Sequence, residues 1–355
     1  MASVDSLPEK TPYQMAIDGD QPSSKYMINN NNYTKFGSLE TSPPFAPVPI
    51  IDVGCFVSSS KQDDQQAELD KLRSALTTWG CFQAVNHGLS ESYLDIVRQV
   101  SKQFLELPLE EKKKYYREAG SSEGYGNDVT VSESQVQDWC DRLFLLLLPK
   151  DQRKLQFWPE NPSNFRETLD DYTMKIKSIS VVIFEAMAKS LGLEENCFSK
   201  QFSEEHEVMS ARFLLYPPCP TPDQVLGLKA HSDKSGITFL LQDPEVEGLQ
   251  VFNDGKWYMV PVIRDALFIN LGDQMQILSN GIFKSPLHRV VTNKGKGRIS
   301  VAMFIEPDPN KEIGPVDVLV DEKTPRMYKT VKNYAVFNYE SFQKGINVPL
   351  DDVKV

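Results

Sequence analysis

Positive charge is in short supply in this chain: 38 Lys and Arg stand against 49 Asp and Glu, giving a net charge of −11 over 355 residues. Such a balance argues against a protein that grips nucleic acid or an anionic membrane surface. Long apolar runs are missing too, and none reaches the ~18 residues of a transmembrane helix. The first twenty residues are polar and acidic, with neither an apolar signal core nor an Arg-rich transit pattern. Cysteine is scarce, and five at wide spacings imply reduced thiols rather than a disulfide framework. These absences together lead us to expect a soluble, cytoplasmic protein. Internal repeats are lacking. The one glycine-rich stretch, Gly120 to Gly126, has neither the Lys-Ser/Thr of a phosphate loop nor a dinucleotide fingerprint's strand-to-helix context, so it reads as a flexible connection. Histidine is limited to four positions: His87, His206, His231 and His288.

What is present is ordinary for a globular protein, 40% hydrophobic and 25% charged, and long enough to bury a substantial core. Residues 1 to about 46 are rich in Pro, Ser, Asn and Gln and read as an irregular arm with one short helix around Thr11 to Asp18. The β-branched run Val48 to Val53 predicts a strand closed by Gly54. Leu69, Leu72, Ala75 and Leu76 recur at helical spacing within Gln65 to Trp79, and Leu94, Val97, Val100 and Phe104 do so within Ser90 to Leu107. Between them Cys81 to Asn86 reads as a strand, turned by His87-Gly88. Asp138 to Pro149 is an apolar strand, and Phe165 to Leu191 a long helix. From Met209 to Pro307 the period falls to two, with turns at Pro217-Pro218, Asn253-Asp254-Gly255 and Asn293-Lys294-Gly295. Evenly spaced short strands of this kind fit a double-sheet jelly roll. The expected fold is therefore mainly β with flanking helices, built on a double-stranded β-helix, cupin-like core.

The chemistry concentrates between Lys229 and Ser300. His231 and Asp233, two apart, share a strand face by geometry, and His288 follows much later. Two imidazoles and a carboxylate can face one metal and leave positions open; with Fe(II) this is the facial arrangement of oxygenases. Strands that leave and re-enter one barrel would bring the three together. His87 reads as a histidine satisfied by hydrogen bonds at a strand end, and His206, within Glu204 to Glu207, as a solvated surface residue.

Gly227 to Asp233, Leu240-Leu241-Gln242-Asp243, Gly248-Leu249-Gln250-Val251, Asn270-Leu271-Gly272-Asp273 and Lys284 to Val291 closely resemble one family. Trp79 to Gln83 and Asn86-His87-Gly88 belong to the same pattern. The chain resembles plant Fe(II)/2-oxoglutarate-dependent dioxygenases from about Val48 onward. It is most similar to the branch of specialised metabolism that includes anthocyanidin synthase and codeine demethylase. The resemblance implies iron held by His231, Asp233 and His288, two positions for 2-oxoglutarate and one for O2, with ascorbate supportive. It implies that the far carboxylate of 2-oxoglutarate rests on Arg298, Ser300 and Tyr216. A guanidinium's planar fork suits that task. Matching substrate positions are Arg142, Phe144, Arg212, Phe304 and Glu306, with Phe144 and Phe304 able to sandwich a flat ring; core packing or surface charge explains each equally well.

The implied reaction is hydroxylation, desaturation or O-demethylation of a small aromatic or alkaloid-like metabolite, with release of succinate and CO2, by a monomer. The implied layout is an arm at 1–46, an α/β region at 47–205, the iron and 2-oxoglutarate core at 206–310, and a tail at 311–355 whose helix lies on the barrel mouth. One departure stands out: relatives read Asn-Tyr where this chain has Leu214-Leu215. Two alternatives stay open: a related oxidase with similar ligands that does not consume 2-oxoglutarate, and a non-catalytic small-molecule-binding barrel, for which this departure is the only support.

Overall fold

Along Val208–Tyr216, Met209, Ala211, Phe213 and Leu215 join the main hydrophobic core, whereas Arg212, Leu214 and Tyr216 face a second, smaller space. Arg298–Glu306 divides in the same way: Ile299, Val301, Met303 and Ile305 enter the core, and Arg298, Ser300, Ala302 and Phe304 face the other side. This two-residue alternation separates stability from chemistry. Each buried Leu, Ile or Phe on the core side contributes ~1.5–3 kcal/mol. A one-residue slip would forfeit that whole set, so the core side fixes the register in which the polar side is presented.

The computed structural model describes residues 10–28, 39, 43–57, 62–118, 120–127, 136–202, 207–343 and 349–355. His206 and much of the expected N-terminal arm lie outside these residues. Helix α1 (Pro12–Asp18) starts at Thr11, whose hydroxyl accepts from the Gln14 N–H at 3.3 Å, a side-chain cap. There follow β1 (Ile50–Asp52), α2 (Gln62–Thr78), β2 (Cys81–Val85), α3 (Glu91–Leu105), β3 (Gly124–Tyr125), β4 (Asp141–Leu148), α4 (Phe165–Ser190) and α5 (Asn196–Phe202). The β-rich part contains β5 (Val208–Tyr216), β6 (Leu226–His231), β7 (Ile237–Leu241), β8 (Leu249–Asn253), β9 (Lys256–Met259) and β10 (Leu267–Leu271). It is completed by α6 (Asp273–Leu278), β11 (His288–Val291) and β12 (Arg298–Glu306), and the chain continues to α7 (Tyr334–Gln343).

The strands form an eight-stranded sheet, β1-β2-β10-β7-β12-β5-β4-β3, and a four-stranded sheet, β6-β11-β8-β9. Helices α2, α3 and α4 pack on the outer face of the larger sheet, where Leu72, Leu76, Leu94, Phe104, Ile176 and Ile183 share one hydrophobic core with sheet residues such as Phe82, Phe213 and Met303. The smaller sheet covers the other face. The expected jelly-roll core with flanking helices is what forms.

Two local expectations need correcting. The strand predicted over Val48 to Val53 covers Ile50–Asp52, and Gly54 opens a short helical turn (Gly54–Val57) whose first N–H is accepted by Asp52 Oδ1 at 2.9 Å. Gly120 to Gly126 is no mere flexible connection, because Gly124 and Tyr125 pair with Phe144 and Leu143 at the sheet edge. Gly124 adopts φ +115°, and a Cβ there would lie 2.8 Å from the Arg117 Cα; this glycine permits a close backbone approach. Tyr125 also donates its hydroxyl to buried Asp141, which pairs with buried Lys112 at 3.1 Å.

Candidate metal centre and cosubstrate cleft

The smaller sheet brings two histidines face to face. His231 ends β6 and His288 opens β11, the two are cross-strand partners, and their ring centroids are 4.3 Å apart. Each ring is tethered through Nδ1 to a carbonyl two residues back, His231 to Lys229 at 2.8 Å and His288 to Pro286 at 3.1 Å. With Nδ1–H donating, each Nε2 keeps its lone pair for a ligand, the usual arrangement behind a metal-bound imidazole.

Asp233 reaches across to the larger sheet. Its Oδ2 accepts from Thr238 Oγ1 on β7 at 2.6 Å and from Asn270 Nδ2 on β10 at 2.8 Å. Its Oδ1 lies 3.6 Å from His231 Nε2 and 3.7 Å from His288 Nε2. The three donor atoms all fall within 4.8 Å of one another. One carboxylate oxygen is held and the other is offered.

The loop carrying Asp233 is clamped by the turn after β10. The Asp273 N–H donates to Asp233 O at 2.8 Å, and Gln274 Nε2 to Lys234 O at 2.8 Å. A Cβ on Gly272 would lie 2.0 Å from Ser235 O, so only glycine lets the two segments meet. The Asn270-Leu271-Gly272-Asp273 run thereby acquires a physical role.

Charge within the trio is strongly coupled. Burial opposes ionisation of Asp233, but the two imidazoles and the Thr238 hydroxyl hold its carboxyl well below the usual carboxylate range. Burial also works against protonation of His231, yet Asp233 outweighs it and raises that pKa. His288, pushed by burial and by the charge of His231, falls to about 4. Two neutral imidazoles and one carboxylate around a divalent cation would satisfy all three groups at once, so the donor set suits Fe(II).

Arg298 supplies the second half of the site. It is 2% exposed, yet its Nε and Nη1 have no hydrogen-bond partner among the described residues, and Nη2 meets only Gln242 Oε1 at 3.4 Å. An unmatched buried guanidinium is costly, by several kcal/mol, and a carboxylate in the cleft would relieve it. Arg298 is in register with Tyr216, over whose ring its guanidinium sits at 5.4 Å, and Ser300 is in register with Leu214. Burial raises the Tyr216 pKa, so its hydroxyl stays neutral.

His231, Asp233, His288, Arg298, Ser300 and Tyr216 all line one cleft, part of it open to solvent. Leu228, Leu240, Leu249 and Val290 supply its apolar wall, and Leu214 lies in that wall rather than in the main core. Of the positions matched to a substrate, Arg212 and Phe304 line the cleft. Arg142, Phe144 and Glu306 are not among its walls. Arg142 donates to Gly126 O at 2.9 Å and Ser122 O at 3.2 Å, and Glu306 pairs with Lys234 at 3.3 Å. Phe144 and Phe304 flank the Arg212 guanidinium, each centroid 5.8 Å away; the flat group beside both rings is a side chain of the protein itself. His87 stands apart from the trio, its Nε2 3.0 Å from Asp265 O and its Nδ1 accepting from the Leu89 N–H at 3.2 Å. Sequence reasoning missed the parts played by Asn270 and Thr238. The first lay inside a recognisable motif, whereas the second carried no signal.

A double-stranded β-helix holding a His-x-Asp…His trio beside a buried arginine defines an iron-dependent oxygenase with an anionic cosubstrate. Comparisons with known proteins agree. Residues 205–307 match the 2OG-Fe(II) oxygenase superfamily, and residues 48–161 match the non-haem dioxygenase in morphine synthesis N-terminal family. Codeine O-demethylase of Papaver somniferum is 42% identical over 282 residues, 79% of this chain and 78% of its own. Protein SRG1 of Arabidopsis thaliana is 40% identical over 289 residues, 81% of this chain and 80% of its own. The crystal structure of JOX2 in complex with 2OG, Fe and JA superposes with a TM-score of 0.84 at 31% identity, covering 94% of each chain. This chain belongs to the 2OG-Fe(II) oxygenase superfamily. It is an enzyme that uses Fe(II) and 2-oxoglutarate.

Proposed function

We propose that this enzyme hydroxylates, desaturates or O-demethylates a small plant specialised metabolite of aromatic or alkaloid-like type. For hydroxylation, one substrate C–H, one 2-oxoglutarate and one O2 give the alcohol, succinate and CO2. The observation that carries the reading is the buried Arg298, which lines the cleft that holds the trio and whose Nε and Nη1 have no hydrogen-bond partner among the described residues. His231, Asp233 and His288 hold Fe(II), which with 2-oxoglutarate and O2 supplies the oxidising chemistry; ascorbate supports it. Arg298 grips the far carboxylate of 2-oxoglutarate bidentately, and Ser300 and Tyr216 add hydroxyl donors. Leu228, Leu240, Leu249 and Val290 exclude water from the reacting atoms.

Arg212 stands four residues before Tyr216 on β5, about 13 Å along the strand. Substrate therefore meets Arg212 and Phe304 at one end of the cleft while 2-oxoglutarate occupies the other. Arg142, Phe144 and Glu306 support that end from behind its walls. Relatives named as a codeine O-demethylase and a flavonoid 7-O-demethylase favour a substrate of this class.

The same reading takes the enzyme as a cytoplasmic monomer that binds neither nucleic acid nor membrane. The net charge of −11 supports the part that concerns nucleic acid and anionic membrane; among the described residues no helix is long and apolar enough to cross a membrane. It also divides the chain into arm, α/β region, oxygenase core and tail at the boundaries read from the sequence.

The test is succinate release from 2-oxoglutarate, with Fe(II) and ascorbate, in the presence of fractionated plant metabolites. The natural enzyme couples succinate to the loss of one metabolite. Asp233→Ala neither turns over nor holds iron. Full activity in Asp233→Ala, with iron content unchanged, would overturn the assignment.

A further inference from the structure

Asp273 occupies a junction that iron and 2-oxoglutarate leave unexplained. It is 0% exposed, and two segments converge on it, the metal loop and helix α7. Its Oδ2 accepts from Tyr334 Oη at 2.8 Å, from Ser232 Oγ at 3.3 Å and from Asn338 Nδ2 at 3.5 Å. Its own N–H donates to Asp233 O at 2.8 Å. Ser232 is the residue between His231 and Asp233, in the segment that leaves β6. Tyr334 is buried and opens helix α7, far along the chain from that loop.

We propose that Tyr334, acting through Asp273, is a positioning residue for the metal loop, so that the C-terminal helix helps to set the affinity of the metal centre. The inference rests on His231, Asp233 and His288 being the ligands. Asp233 lies beyond the ladder of β6, and its backbone is located by the turn at Gly272 and Asp273. Ligand atoms must be held within roughly 0.5 Å for full affinity. A carboxylate oxygen that receives both Tyr334 and Ser232 cannot turn away without losing a charge-assisted bond. The helix thereby fixes Asp273, and Asp273 fixes the loop at a side chain and at a carbonyl.

A tyrosine hydroxyl that served only to dock the tail would leave the metal unaffected, and the fold supplies such a tyrosine for comparison. Tyr328, also buried, accepts from Gln276 Nε2 at 2.7 Å. The Gln276 Oε1 then accepts from the Ser285 N–H at 2.6 Å. Tyr334→Phe and Tyr328→Phe delete the same kind of atom, but only the Tyr334 hydroxyl bonds Asp273 directly.

The test titrates Co(II) into the full chain, followed by visible absorption and calorimetry, with thermal melts on the same samples. Tyr334→Phe is expected to weaken Co(II) binding ~10-fold, as loss of an outer-shell partner does. Tyr328→Phe lowers the melting temperature while Co(II) affinity stays as in the natural enzyme. Ser232→Ala, which opens the relay from the loop end, weakens Co(II) binding in the same direction. Combined with Tyr334→Phe it costs less than the two singly, because both break one path. Natural affinity in Tyr334→Phe, or equal weakening in Tyr328→Phe, would overturn the proposal. Should Tyr334→Phe fail to fold, unchanged affinity in Ser232→Ala overturns it alone. Co(II) binding that survives in Asp233→Ala refutes the ligand assignment beneath it, an outcome separate from these.

Discussion

Asn270 Nδ2 lies 2.8 Å from Asp233 Oδ2, a bond that ties the acidic member of the trio to an interior strand of the larger sheet. The Thr238 hydroxyl takes the same oxygen from the neighbouring strand at 2.6 Å. The carboxylate is thereby turned so that Oδ1 faces the two imidazoles, the oxygen that would hold a metal there.

Replacing Asn270 with Ala should therefore loosen the metal before it loosens the fold. We expect ~10–100-fold weaker metal binding, with the stability loss confined to ~1–3 kcal/mol for an under-satisfied buried group. Co(II) titration and thermal melts measure the two effects. Natural affinity in Asn270→Ala would remove Asn270 from the support of Asp233.

Arg298→Lys keeps the charge but loses the fork. A lost charge-assisted hydrogen bond is worth ~1.5–3 kcal/mol, so 2-oxoglutarate should bind ~10–100-fold more weakly. The requirement for the oxidised substrate should change far less. An equal rise in both requirements would count against Arg298 as the cosubstrate anchor.

Leu214 is 3% exposed and packs in the cleft wall with Tyr216 and Val290, in register with Ser300. Asparagine at this position can reach the cleft and add a hydrogen bond to 2-oxoglutarate. Leu214→Asn is expected to tighten 2-oxoglutarate binding by up to ~10-fold, equivalent to ~1.4 kcal/mol. Turnover need not rise, because a tighter ground state does not lower the barrier. A lower melting temperature with unchanged affinity would mean that Leu214 serves packing alone.

His87 gives a pH dependence of stability remote from the metal. Burial lowers its pKa, and the neutral ring donates to Asp265 O and accepts from the Leu89 N–H. The unfolded chain takes up a proton near pH ~6.5 while the folded one resists it. Unfolding is then favoured as pH falls, so the stability held above ~6.5 is lost toward the folded pKa. His87→Gln should flatten the fall in melting temperature between about pH 7 and 5. An unchanged slope would show that His87 charges equally in both states.

Much of this molecule is decided by short-range rules that a single chain already obeys. Helical spacing of Leu69, Leu72 and Leu76 or of Leu94, Val97 and Val100 creates an apolar stripe wherever the segment lies. Strand parity places Arg298 with Ser300 on a shared face before any partner is known. Asp233, expected to share a strand face with His231, instead lies just past the end of β6 and owes its place to the loop. Those pairs, and the motifs around them, carried the fold class, the metal, the cosubstrate and the reaction type.

The tertiary structure decided which distant groups became partners. Asn270 and Thr238 turn Asp233 only because the hydrophobic face of the larger sheet sets the register of β7 and β10. Gly124 and Tyr125 form an edge strand because β4 offers a free ladder and Arg117 leaves room only for a glycine. Arg212 lies between Phe144 and Phe304 because three adjacent strands set Phe144 opposite Arg212 and Phe304 two residues along, opposite Ser210. Tyr334 meets Asp273 for the same reason: burial over the whole chain selects such contacts, and no local pattern encodes them. Sequence determined which groups face together along each strand. Packing between strands determined what each of them touches.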